Sequence, residues 1–230
     1  YGVRTWVNQH IELEQRQEED WYWLEAQQVH DLISHASKAD CGEYWSDAMK
    51  VQFDMALRPE EIVMVQTANV MRSCDGKISH VFVCPLFDDD RLVRDLKTAN
   101  SRASMTVSSD DARDALERRA VKGNLLLFPR LPSECGGREP YWCRAKSVDP
   151  FEVKHRLWRP TIWDKHYLAR LREAATAAGT IDADRLDSRT LRRTRGKDIV
   201  LATLSMAATA AFLRDNEITV RRAYAKRLPK

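Results

Sequence analysis

The residues whose type and spacing could do chemistry in this chain are basic. Arg189, Arg192, Arg193, Arg195 and Lys197 lie within nine residues of one another, and Arg221, Arg222, Lys226, Arg227 and Lys230 follow. Clustered guanidinium and ammonium groups attract phosphate, whether of an RNA backbone or of anionic lipid headgroups. The same residues would also suit a solvated face paired with the chain's own carboxylates. Over the whole chain 37 Lys and Arg face 34 Asp and Glu, a formal net charge of +3. A dedicated nucleic-acid binder usually carries a larger excess, and the excess here is concentrated from Arg185 onward.

Other constellations are weaker. Structural zinc sites pair ligands two to four residues apart, whereas Cys135 and Cys143 are separated by seven residues and Cys74 and Cys84 by nine. The C-x9-C spacing of Cys74 and Cys84 resembles half of the twin pattern of small intermembrane-space proteins. That family sets its pairs on two helices, while this pair spans a predicted hairpin turn. A disulfide across that hairpin stays open. With Cys41 the count is odd, which favours a reducing compartment. Asp88-Asp89-Asp90 reads as a helix start, or as a magnesium or calcium site. His10, His30, His35, His80, His155 and His166 are scattered and belong to no Gly-x-Ser-x-Gly or His-Glu-x-x-His motif. No residue is therefore assigned as catalytic, cofactor-binding or metal-ligating, and no cofactor is implied.

The elements that must carry these residues suggest an α+β fold. A long N-terminal helix is expected over 5–38, closed at Gly42, with Trp21, Tyr22 and Trp23 unable to face one core together. Ser46 would cap a second helix at 47–57, stopped by Pro59. Strands at 62–71 and 77–83 would flank a type I′ turn at Asp75-Gly76. Helices after Asp90 and after Ser108-Ser109, strands at 104–107, 125–128 and 141–147, and a loop at 132–137 complete a small mixed sheet with packed helices. A short helix at Asp149-Pro150, helices at 161–178 and 182–195 and a basic helical tail from Asn216 would fill the C-terminal third. The domain reading is 1–58, 59–148 and 149–230.

The longest uncharged run, 199–213, has no Gly or Pro and reads as one continuous helix. At 1.5 Å per residue it is about 22 Å long, short of the roughly 30 Å hydrocarbon core of a bilayer. It is expected to be a central buried helix, or a short membrane-associated helix over 198–214 with basic flanks. Hydrophobic residues are 43% of the chain and seven are Trp, so the chain folds rather than staying disordered. No secretory signal is recognisable, and a first residue other than Met fits presequence cleavage or trimming. Together these features suggest a non-catalytic accessory subunit of a large mitochondrial assembly, a respiratory-chain or ATP synthase complex at the inner membrane. Its partners would be other protein subunits, with anionic lipid or RNA phosphate at the basic C-terminal region. The alternatives are a mitochondrial ribosomal protein that contacts RNA, and an enzyme with its site in the mixed sheet. If 199–213 is buried by protein, a bulky residue at Ala208 should overpack it.

Overall fold

The computed structural model describes residues 22–88, 91–96, 101–120, 126–130 and 158–224. The elements expected over 5–21, 132–137, 141–147 and 149–157, and the tail beyond 224, lie outside these residues. Helix α1 (Ala26–Ala36) buries Val29, Leu32 and Ala36 along one stripe. The Glu25 N–H at its start donates to Gln28 Oε1 at 3.0 Å. The helix ends at Ala36, two residues short of Lys38. Gly42 does not close it but opens α2 (Gly42–Met55), after Cys41 turns the chain at φ 54°. Glycine is required there because an added Cβ would collide with the carbonyl oxygens of Ala36 and Ser37. Ser46 is not a cap: it lies inside α2, buried, and its hydroxyl donates to the Glu43 carbonyl at 3.2 Å.

Helix α3 (Pro59–Ile62) starts at Arg58 with Pro in its first turn and Glu60 and Glu61 at its positive end. The run Ile62–Val65 is therefore not a strand. It is a helix end and turn with all four side chains buried, a case that a short apolar run cannot settle by periodicity alone. A 3-10 turn (Thr67–Asn69) leads into β1 (Val70–Arg72), followed by β2 (Ile78–Val83). Only Gly76 in their turn has positive φ, at 81°, whereas a type I′ turn needs two such residues. Gly76 N–H donates to Ser73 O and Ser73 N–H to Lys77 O, each at 2.9 Å. The turn is thus a three-residue loop with its bulge at glycine.

Strands β3 (Leu86–Asp88) and β4 (Arg91–Arg94) pair antiparallel, so the chain after the acidic run continues as a strand and not as the expected helix. β5 (Ala103–Thr106) adds to the other edge of β2, giving the order β1-β2-β5. Every pairing among the described strands is antiparallel. Leu126 makes an isolated antiparallel bridge with Gln66 where a strand was expected. Ser109 caps α4 (Asp110–Arg119), its hydroxyl accepting from Ala112 N–H at 3.1 Å.

The C-terminal third is helical: α5 (Pro160–Ala178), closed by Gly179 at φ 70°, then α6 (Thr190–Thr203), α7 (Met206–Leu213) and α8 (Glu217–Tyr224). Gly196 does not separate helices but sits inside α6. The run 199–213 is not one helix either. Leu204, 74% exposed and at φ 51°, breaks it, and the Ser205 hydroxyl caps α7 by accepting from Ala208 N–H at 3.1 Å. A good N-cap in mid-run favours a restart. Val200, Thr209, Ala210 and Leu213 are buried, while Leu201, Ala207, Ala208 and Ala211 are exposed. Among the described residues no helix is long and apolar enough to cross a membrane.

The helix buried on nearly every side is α2. Its Trp45 packs with Tyr44, Trp158, Trp163 and Tyr167 in one aromatic cluster. Two polar groups of this cluster are answered inside it: Trp158 Nε1 donates to Tyr44 Oη at 3.0 Å and the Tyr167 hydroxyl to Gln52 Oε1, whereas the buried Trp163 Nε1 has no hydrogen-bond partner. The acids of α2 are answered as well. Asp47 pairs with Arg118 at 2.6 Å and Arg119 at 2.8 Å, and Asp54 accepts the backbone N–H groups of Ser108 and Ser109 at 2.8 and 3.0 Å. Thermal melts test this assignment. Gly42→Ala should cost about 1–3 kcal/mol by overpacking backbone carbonyls, and Ala208→Leu, on an exposed face, should stay within about 0.5 kcal/mol of the parent.

Candidate functional site

Three arginines and two carboxylates meet where α3, the start of α6 and the α7–α8 turn come together. Arg58 lies just ahead of α3. Its Nη1 reaches Glu61 Oε1 at 2.7 Å and Ser101 Oγ at 3.0 Å, and its Nη2 reaches Asp215 Oδ1 at 2.6 Å. Arg192, one turn into α6, places Nη2 2.7 Å from Asp215 Oδ2. It also donates to the carbonyl oxygens of Ala56 and Leu213. Arg214 pairs with Glu61 Oε2 at 2.5 Å, and these two side chains are 2% and 1% exposed. Asp215 is the outermost of the five, 32% exposed, and each of its carboxylate oxygens rests on a different guanidinium.

The charge balance of this cluster favours a further anion. Three cations face two carboxylates. Burial, then the repulsion of Arg58, lowers the pKa of Arg192 from its ordinary guanidinium value, and burial does the same to Arg214. The buried guanidiniums are therefore less than fully compensated in their charged form. Arg58 shows the reverse: burial lowers its pKa, but Glu61 and Asp215 together outweigh this and raise it. Burial pushes the Asp215 pKa up, yet Arg192 and Arg58 outweigh it and hold the carboxyl below the usual carboxylate range.

Tyr224 closes the site at the end of α8. Its ring stacks on Trp23, with centroids 6.1 Å apart and planes 11° from parallel. Its hydroxyl donates to the Arg193 carbonyl at 3.2 Å. Gly196 is demanded by this contact, since a Cβ there would strike the Tyr224 hydroxyl. Burial raises the Tyr224 pKa, while the positive charges of Arg192 and Arg193 act the other way. The segment carrying Trp23 is pinned to α6: Leu24 N–H donates to Thr194 Oγ1 at 3.0 Å, and Lys197 Nζ pairs with Glu25 at 2.9 Å.

Of the described basic residues singled out by spacing, the structure brings only Arg192 into this cluster. Arg193 pairs with Asp187, Arg195 donates to Ser108 Oγ at 3.0 Å, and Arg221 pairs with Glu217 at 2.8 Å. Arg189 is exposed, and Lys226, Arg227 and Lys230 lie outside the described residues. Arg58, Arg214, Asp215 and Tyr224 carried no functional reading in the sequence. The available signal was an Arg directly before Pro-Glu-Glu, and an Arg-Asp pair closing an apolar run.

The remaining candidates do not assemble. Cys74 and Cys84 are not bridged, and Cys84 Sγ accepts from Asn69 Nδ2 at 3.2 Å. His80 Nδ1 lies 3.1 Å from Ser79 Oγ, His35 Nδ1 lies 2.8 Å from Asp31 O, and His166 leans on Trp158. His30 is exposed. Cys135, Cys143, His10, His155, Asp89 and Asp90 lie outside the described residues.

No protein-family model matches this chain, and no curated protein matches it. Solved structures do. XerA recombinase matches with a TM-score of 0.57 at 11% identity, over 94% of this chain and 67% of that one. The Tn1549 transposon integrase in complex with transposon right end DNA, a form with one tyrosine replaced by phenylalanine, matches with a TM-score of 0.59 at 11% identity. The same integrase bound to a circular intermediate DNA, with an arginine replaced by lysine, matches with a TM-score of 0.59 at 12% identity. This chain spans 63% of the length of those integrase chains and they cover 91% of it.

The likeness is one of fold, and it corrects the functional expectation. The neighbours are a recombinase and a DNA-bound integrase, not accessory subunits of a respiratory-chain or ATP synthase complex, and not ribosomal proteins. Those integrase structures are complexes with DNA, which is not among the expected partners: other protein subunits, anionic lipid or RNA phosphate. The expected membrane-associated helix over 198–214 is broken at Leu204 as described above.

Two outcomes follow from the buried charges. Glu61→Gln leaves Arg214 and Arg58 without a shared carboxylate, and should lower stability by about 3–5 kcal/mol in denaturant titration. Because the folded Asp215 pKa lies below its unfolded value, its stabilising contribution is present above about pH 4 and is lost as pH falls through the folded value. Asp215→Asn should therefore flatten the acid limb of a stability-against-pH curve.

Proposed function

We propose that this chain is the phosphoryl-transfer domain of a DNA recombinase or integrase. In this reading Arg58 and Arg192 clamp a backbone phosphate and Tyr224 is the nucleophile. The observation that carries the reading is Asp215, a single anionic group with one oxygen on each of two nearly buried guanidiniums. A phosphodiester offers the same paired oxygens, and guanidinium forks suit it better than ammonium groups do. The excess of positive charge in the cluster favours such a ligand, and the fold it shares with a recombinase and a DNA-bound integrase supports DNA as its source.

The chemistry then follows from the residues present. The Tyr224 oxygen attacks phosphorus, a tyrosyl phosphodiester forms, and the bond to one deoxyribose oxygen breaks. The proton lost by the phenol is balanced by the one gained on the leaving hydroxyl. Attack by a hydroxyl of another strand reverses the step and frees Tyr224. Strands are exchanged with no net hydrolysis, because one ester replaces another. Arg58 and Arg192 stabilise the charge that builds on the phosphoryl oxygens, where preformed donors contribute most.

A duplex titration at two salt concentrations tests the clamp, using the full chain. Arg58→Lys and Arg192→Lys keep the charge but lose the fork. Each should weaken DNA binding by about tenfold, or 1.4 kcal/mol. Arg192→Ala should also lower the slope of log affinity against log salt by about one. Unchanged affinity in folded variants would overturn the proposal.

A further inference from the structure

We infer that Asp215 is a built-in occupant of the phosphate site, which DNA must displace, and that its displacement frees the helix carrying Tyr224. This rests on the reading of Arg58 and Arg192 as a phosphate clamp. Three features of the site lead to it. The Asp215 carboxylate takes the two guanidinium edges that a phosphate would take, at 2.6 and 2.7 Å. It is also the member of the cluster nearest solvent, whereas Glu61 and Arg214 lie beneath it and are nearly inaccessible. An incoming anion therefore meets Asp215 first.

The third observation is where Asp215 sits in the chain. It belongs to the turn between α7 and α8, next to Arg214, a non-glycine residue at φ 56°. Asn216 follows and caps α8, its Oδ1 accepting from Ile218 N–H at 2.8 Å. The same ion pairs that fill the phosphate site thus anchor the start of the helix that ends in Tyr224. At the far end of that helix the Tyr224 hydroxyl is turned to the Arg193 carbonyl, above Gly196, and its ring lies on Trp23. A tyrosine so held does not attack a phosphate. When phosphate replaces the carboxylate on Arg58 and Arg192, the turn loses its anchor and α8 is free to shift. Occupancy of the clamp by DNA and release of the nucleophile become one event, and the tyrosine stays sheltered while no DNA is bound.

The test compares the full chain with Asp215→Asn, Asp215→Glu and Glu173→Gln. Glu173 lies on α5 and pairs with Arg170 on the surface, so its variant controls for the loss of one negative charge. The probe is a mixed-sequence DNA duplex. Asp215→Asn should bind it about 5-fold or more tightly than Glu173→Gln does, the lower end of ordinary coupling between sites. Asp215→Glu, which keeps a carboxylate, should stay near the parent. Without DNA, amide hydrogen exchange across residues 217–224 should be faster in Asp215→Asn than in the parent. Binding by Asp215→Asn equal to or weaker than that of Glu173→Gln, or unchanged exchange in α8, overturns the inference. If the lysine variants of Arg58 and Arg192 bind as the parent does, the phosphate-clamp reading itself has failed. If they bind weakly and Asp215→Asn gains nothing, only the displacement by Asp215 has failed.

Discussion

The ion pair between Glu61 and Arg214 is the contact on which the arrangement of the site depends. Both side chains are almost fully buried, and Arg214 belongs to the turn that joins α7 to α8. Glu61 also holds Arg58, through the side chain at 2.7 Å and through the Arg58 backbone N–H at 2.7 Å. One carboxylate thus ties the first turn of α3 to a turn 153 residues further on. A buried pair of this kind is poor evidence of net stability, because desolvation offsets much of the attraction. It does impose a geometry, since any other arrangement strands a charge in the interior. Burial lowers the pKa of Arg192 and Arg214 in this arrangement.

Around this knot the fold divides its labour. Helix α2 is the rigid centre: its aromatic side chains make the core, and its carbonyl end at Met55 and Ala56 receives Arg192 and Arg214. Helix α4 and its capping residues are joined to it through Asp47 and Asp54. Helix α6 reaches the same corner, where Arg195 donates to Ser108 Oγ. Met105 of β5 reaches across to Arg214 Nη1 at 2.9 Å, so the sheet too touches the site. Tyr224 is placed by packing against Gly196 and Trp23, and the phosphate clamp by ion pairs. The two halves of the proposed machinery are held by different forces.

The sequence made the class of the fold legible, and with it the elements marked by strong local chemistry. The Asp-Gly hairpin, the Ser109 cap and the helix expected over 161–178 all fell close to where propensity put them. Hydropathy misplaced the centre. The run 199–213 looked like the buried axis because it lacks charge, yet it restarts at Ser205 and shows four of its five alanines to solvent. The true axis, α2, carries Glu43, Asp47, Lys50, Asp54 and Gln52, and its acids are matched by arginines and N–H groups far along the chain. No local pattern announces such partners. The same holds for the site: Arg192 was visible in a basic run, but Arg58, Arg214 and Asp215 acquire meaning only when residues more than 130 positions apart meet.

The central claim is that Tyr224 becomes covalently joined to DNA. The direct measurement is peptide mapping by mass spectrometry of denaturant-resistant complexes, recovered after the full chain is incubated with a pool of nicked duplexes that trap a cleaved strand. The account predicts a nucleotide adduct on Tyr224 in the parent, and its loss in Tyr224→Phe while duplex binding persists. An adduct on any other residue, or adducts that survive Tyr224→Phe, would contradict it.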